Sequence, residues 1–228
     1  MHRLCLSEVV SGRAPRSRRQ SKGETGLAPS EGDGQKDDER RDSMKRCFLM
    51  ILLLLPLLSA AEALKERPAH WAQPLINSTI QNLYKVDADV YRAHQPEVKD
   101  LADLKVLKIK TLLNLREYHK DDAIFRQNGI NLMHHKLSAG SPTAADLIAV
   151  LKLLRDAEKP VLVHCWHGSD RTGFVVAGYR IVFQRWTREE AVSELRLGGF
   201  GYHQDVFPNI VQVLNELDVE AVRKSVLK

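Results

Sequence analysis

Cysteine is scarce in this chain of 228 residues: there are three, Cys5, Cys47 and Cys165. Aromatic residues make up only 6%. No uncharged apolar run reaches the roughly 20 residues that a membrane-spanning helix requires. No basic run interleaved with aromatics offers a groove to nucleic acid, and there is no internal repeat. What remains is ordinary globular composition, 43% apolar and 28% charged with a net charge of +5, in a length that suits one domain plus an extra segment.

The extra segment is at the front. Residues 1–43 are rich in Ser, Gly, Arg, Asp and Glu without a sustained apolar period, a composition that cannot offset the entropy of ordering it. The stretch "MKRCFLMILLLLPLLSAAEA" follows from Met44. Lys45 and Arg46 form a positive start, Cys47 to Leu58 an apolar core, and Ala61–Ala63 a small-x-small exit, the pattern of a cleaved export signal over 44–63. A methionine at the natural first position places the true start at Met44, with 1–43 a disordered or wrongly assigned extension. The expectation is an exported protein, periplasmic or secreted, with no stable membrane insertion after cleavage. Residues 64–228 then keep one cysteine, Cys165, and carry 23 Lys and Arg against 20 Asp and Glu. An exported domain with one thiol has no internal disulfide, so it stands on its hydrophobic core and its thiol is suspect of chemistry.

Along the rest, residues 64–82 read as an N-terminal arm and 83–228 as one domain. Short strands are expected at Leu83–Val86 and Val90–Ala93 about the turn "DAD", with a helix through Val98, Leu101, Leu104 and Leu107. "KTLLNLR" and "INLMHHKL" read as strands around a short helix ended by Asn128-Gly129. Ser141 and Pro142 mark the start of a helix carrying Leu147, Val150, Leu151 and Leu154. "VLVHC" is a continuous apolar strand suited to the centre of a parallel sheet. Helices follow at Thr172–Trp186, at Thr187–Leu197 after "TREE", and from Asn209 to about Val226. The alternation predicts an α/β fold with a mostly parallel central sheet flanked by helices.

The strand "VLVH" ends on Cys165, at the carboxyl edge where ligands of such sheets gather, and continues as "CWHGSDRTG". A tight turn into a helix near Arg171 directs unpaired backbone N–H groups and the positive end of the helix dipole to one point, an anion site. Trp166, His167, Gly168, Ser169, Asp170 and Arg171 would form the cradle, with Gly168 permitting its close path. The same potential favours the thiolate of Cys165, and the planar fork of Arg171 suits two phosphate oxygens.

"HCWHGSDRTG" resembles the loop H-C-x-x-G-x-x-R-T-G of the protein tyrosine/dual-specificity phosphatase superfamily at every fixed position. "VYRAHQP", "TLLNLRE" and "GGFGYHQDVFPNI" are similar to further segments of its small exported bacterial members. The resemblance implies a phosphomonoesterase in which Cys165 forms a phosphocysteine and Arg171 with the loop amides holds the phosphoryl oxygens. It further implies that Thr172 assists breakdown of the intermediate and His164 tunes the thiolate, without cofactor or metal. The substrate would be a phosphorylated protein or a small phosphomonoester, and not nucleic acid.

One part of the pattern departs. Family members usually supply a general-acid aspartate from the loop before the preceding helix, and "HHKLSAGSPT" holds none. Asp146, Asp170, Asp121 and Asp122 are the candidates. His203 either closes over the site or caps the last helix. Three other functions compete: an inositol phosphate or phosphoinositide phosphatase, disfavoured by the absence of lysine in the loop; a phosphate-binding or redox-sensing pseudophosphatase; and a rhodanese-like sulfurtransferase, disfavoured by the "RTG" helix start. A metal site at His164, Cys165 and His167, with His134 and His135, lacks zinc-type spacing, and paired histidines on a strand face opposite ways.

Overall fold

The computed structural model describes residues 67–228; the expected N-terminal extension and export signal lie outside the described residues. Six strands form one sheet: β1 (Gln73–Pro74), β2 (Tyr84–Lys85), β3 (Val90–Ala93), β4 (Thr111–Asn114), β5 (Asn131–His134) and β6 (Val161–His164). Their spatial order is β1-β2-β3-β6-β4-β5. β3, β6, β4 and β5 run parallel, and β1 and β2 extend the edge antiparallel. The arm thus contributes a strand of its own.

β6 lies between β3 and β4 with all four residues buried. Its alternation divides the core: Val161, Val163 and Cys165 face one apolar cluster and Leu162 the other, the period-two consequence of the pleat. The first cluster packs under five helices, α3 (Ala144–Asp156), α4 (Asp170–Val182), α5 (Arg188–Leu197), α6 (Asn209–Glu216) and α7 (Val219–Val226). The second is covered by α1 (Leu101–Val106) and α2 (Ala123–Gln127) through Leu104 and Phe125. Eleven of the thirteen residues of α4 are buried, so this helix is enclosed on nearly all sides, as its Gly, Ala and Val content permits. Arg180 on α4 grips Glu194 on α5 through two hydrogen bonds of 2.7 and 2.8 Å, with both side chains 2% exposed.

Three helices differ from expectation. α3 is capped by Thr143, not Ser141: Thr143 and Asp146 exchange hydrogen bonds in a capping box, which satisfies two end amides at once. The single helix expected over 209–226 is two. Leu217 turns extended and buries its side chain, and the Asp218 carboxylate accepts from Ala221 N to cap α7. α4 also begins at Asp170 and ends at Val182, offset from the expected Thr172–Trp186.

Parallel register aligns the strand ends. Ala93, His164, Asn114 and His134 form one row across β3, β6, β4 and β5, and Cys165 is the next residue beyond it.

Candidate active site

The segment from Cys165 to Ser169 joins β6 to α4. Each of its carbonyls has a partner outside the loop. Trp166 O accepts from Gln95 N at 3.0 Å, and Ser169 O from Gly173 N at 2.9 Å. His167 O accepts from Asn82 Nδ2 at 2.7 Å, and Gly168 O from Arg92 Nη2 at 2.7 Å. Cys165 O faces His164 Nδ1 at 3.3 Å. The backbone amides of Trp166, His167, Gly168 and Ser169, by contrast, donate to no described residue. Unpaired amides are costly unless something accepts from them, and several in succession at a helix start make an anion-binding nest.

Gly168 makes this path possible. Its φ is +75°, and a Cβ there would lie 2.4 Å from the carbonyl carbon and oxygen of Ala93. The loop presses directly on the end of β3, and only glycine fits.

Arg92 is the principal residue that sequence reasoning missed. It is 1% exposed, lies over the Phe200 ring with its guanidinium carbon 3.6 Å from the centroid, and reaches the loop from β3. Burial brings its pKa down to about 10, against the opposing pull of Glu194 and then Cys165, so it remains cationic at neutral pH. Asn82 and Gln95 are the other unforeseen supports. The signal for Arg92 and Gln95 is the "YRAHQP" segment that holds them both.

Cys165 is 3% exposed and its thiol is free. Behind it His164, fully buried, faces Asp121 through Nε2 at 3.2 Å. Gln95 Nε2 and Asn114 Nδ2 donate to the same carboxylate at 2.6 and 3.1 Å. Thr172 is also fully buried, and its Oγ1 has no hydrogen-bond partner among the described residues. Arg171, half-buried, follows Asp170 on the first turn of α4. A second guanidinium is near: Arg116 has its pKa lowered by partial burial and then by the charge of Arg171, with Cys165 opposing. It also lies 4.8 Å over the ring of Trp166, which is 55% exposed.

A model of the tyrosine phosphatase family matches residues 79–211, the span that holds this loop and all of its supports. The chain belongs to the tyrosine phosphatase family. Dual specificity protein phosphatase TpbA of Pseudomonas aeruginosa is 37% identical over 153 residues, which cover 65% of this chain and 68% of that relative. The crystal structure of a cysteine-to-serine variant of TpbA in complex with pTyr superposes with a TM-score of 0.64 at 32% identity, over 71% of this chain and 99% of that one. An inositol diphosphatase of Arabidopsis thaliana is 28% identical over 122 residues, 50% of this chain and 59% of its own length.

In this family member the four aspartates considered as general acid all have other partners. Asp146 caps α3, accepting from Thr143 N and Oγ1. Asp122 caps α2 by accepting from Ile124 N. Asp170 accepts from His203 N at 2.9 Å and faces His203 Nδ1 at 3.0 Å. For Asp121, burial raises the pKa, but the hydrogen bond and charge of His164, the hydrogen bond from Gln95 and the charge of His134 outweigh it. The net shift is downward, and a carboxylate held ionised is a poor proton donor. His203 joins Asp170 rather than the end of α6, and its ring lies 6.2 Å from that of His167. Among the described residues no three His, Cys, Asp or Glu side chains converge as metal ligands.

Proposed function

We propose that this phosphatase is a phosphomonoesterase working through a cysteinyl-phosphate at Cys165. The observation that carries the reading is the loop in which each carbonyl has a partner outside the loop while four successive amides meet no acceptor among the described residues. Such donors suit the three equatorial oxygens of a transferring phosphoryl group, whose charge a preorganised site stabilises without reorganisation. Cys165 attacks phosphorus, the S–P bond forms as the ester P–O bond breaks, and Arg171 completes the oxygen cradle. Water then attacks phosphorus and the thiolate departs toward the Thr172 hydroxyl. His164, fixed by Asp121, holds the strand end from which the thiol projects.

Aryl phosphates, phosphotyrosine among them, are the substrates favoured. Trp166 presents an exposed indole backed by Arg116 beside the loop, a flat surface for a leaving ring. The TpbA structure in complex with pTyr supports the same class. The likeness to a plant inositol diphosphatase favours a second reading, an inositol phosphate substrate; rapid release of several phosphates from inositol hexakisphosphate would select it.

The proposal includes export. Its support is the Lys45–Arg46 start, the apolar run to Leu58 and the Ala61–Ala63 exit. The native protein should begin at Leu64 by mass spectrometry, and a peptide from residues 1–43 would contradict this.

The test of the chemistry is p-nitrophenyl phosphate hydrolysis with chelator present, for the parent chain, Cys165→Ser and Arg171→Lys. Turnover in the parent, lost in Cys165→Ser and reduced in Arg171→Lys, is expected. Equal turnover in Cys165→Ser would refute the mechanism.

A further inference from the structure

Breaking an aryl or alkyl ester at phosphorus leaves an oxyanion, and a positioned acid that protonates it contributes about 10²–10⁴-fold. All four candidate aspartates are engaged elsewhere: two cap helices, one holds His164 and one holds His203. We propose that His203, oriented by Asp170, is the general acid of this site. The inference rests on the cysteinyl-phosphate reading.

Three features single out His203. Its amide and Nδ1 both meet the carboxylate of Asp170, the residue between Ser169 and Arg171 at the head of α4, so the imidazole is anchored to the phosphate loop. The segment before it is bound to the same loop: Phe200 O accepts from Ser169 Oγ at 2.7 Å and from Asn82 Nδ2 at 3.0 Å. Gly201, with φ of +76°, then turns the chain so that His203 comes back to Asp170. Finally, the His203 side chain is 48% exposed and its Nε2 makes no hydrogen bond to a described residue, so the nitrogen opposite Asp170 is available to a substrate.

The other imidazoles fit less well. His94 and His167 lie near the loop, with rings 6.3 Å apart, but neither meets a carboxylate. His135 stands in the connection where an aspartate is expected, yet its Nε2 is buried without a hydrogen-bond partner among the described residues, 3.6 Å from the capping carboxylate of Asp146. The groups beside His203 are Asp170 from α4 and His167 from the loop.

The proton balance is direct. As the Cys165 thiolate forms the S–P bond, the ester oxygen leaves with the electrons of the P–O bond and takes the proton from His203 Nε2. The neutral imidazole keeps Nδ1–H on Asp170. In the second step water attacks phosphorus, the P–S electrons return to Cys165, and His203 Nε2 takes a proton from the water.

The test is the leaving-group dependence of kcat for full-length parent, His203→Gln and His135→Gln, using phenyl phosphate and p-nitrophenyl phosphate. The phenol that leaves phenyl phosphate is the more basic and depends on protonation. His203→Gln should slow phenyl phosphate by about 10²-fold or more and p-nitrophenyl phosphate far less, while His135→Gln keeps the parent's ratio. Asp170→Ala removes the carboxylate that orients the imidazole, so it should slow phenyl phosphate more than p-nitrophenyl phosphate, as His203→Gln does. Equal slowing of both substrates by His203→Gln, no slowing, or a selective loss in His135→Gln would overturn the assignment. Turnover independent of Cys165 would instead overturn the reading beneath it.

Discussion

Arg92 Nη2 donates to Gly168 O at 2.7 Å across 76 positions of sequence. This contact holds a loop carbonyl and so supports the proposed anion site formed by the neighbouring amides. Replacing Arg92 with leucine leaves that carbonyl buried without its donor, a cost of about 1–3 kcal/mol. The loss should appear as a fall in kcat/KM of roughly tenfold to a hundredfold, at about 1.4 kcal/mol per factor of ten. Weakened inhibition by inorganic phosphate should accompany it, and steady-state kinetics with a folded variant checks both.

Gly168→Ala combines a left-handed φ of +75° with a Cβ only 2.4 Å from the backbone of Ala93. Neither neighbour is a flexible side chain, so the loop must shift. Activity should fall at least 10²-fold, as when a single oxyanion donor is removed, while far-ultraviolet circular dichroism stays that of the parent.

Asp121 gives a pH signature. Its folded pKa lies below the ordinary value of 3.8, because hydrogen bonds and charge from His164, Gln95 and His134 outweigh the upward pull of burial. A depressed folded value means that its stabilisation is complete above about pH 4 and is lost as pH falls through the lower folded value. Asp121→Asn should therefore be less stable than the parent at pH 7 by about 1–3 kcal/mol, with the gap closing below pH 4. Urea unfolding at the two pH values measures it.

The pair Arg180–Glu194 also receives Ala72 N at 2.6 Å, joining α4, α5 and the arm. Glu194→Ala strands a buried guanidinium that lies 4.2 Å over Trp186. Breaking one side of a buried pair costs about 3–5 kcal/mol, so thermal unfolding should move down by many degrees, and Trp186 fluorescence reports the change.

The sheet was legible in the sequence because β4 and β6 are short apolar runs between turn signals, and their burial on both faces produces that pattern. The loop was legible because its parts are contiguous from His164 to Thr172. Its supports were not. Arg92, Asn82 and Gln95 reach it from another strand and its flanks, and periodicity carries no information about which buried polar side chain crosses a sheet. Asp121 is a candidate proton donor by sequence because aspartate is the expected chemistry, whereas its partners under His164 hold it ionised. The break at Leu217–Asp218 escaped the apolar period because α6 and α7 both present buried residues at helical spacing, and a single capping aspartate separates them.

The most direct measurement is a rapid denaturing quench of the full chain during turnover of an aryl phosphate, followed by mass analysis of its peptides. A phosphoryl group on the peptide containing Cys165, absent in Cys165→Ser, is the predicted result. Turnover with no phosphorylated Cys165 peptide at any quench time, or with the label on another residue, would contradict the account.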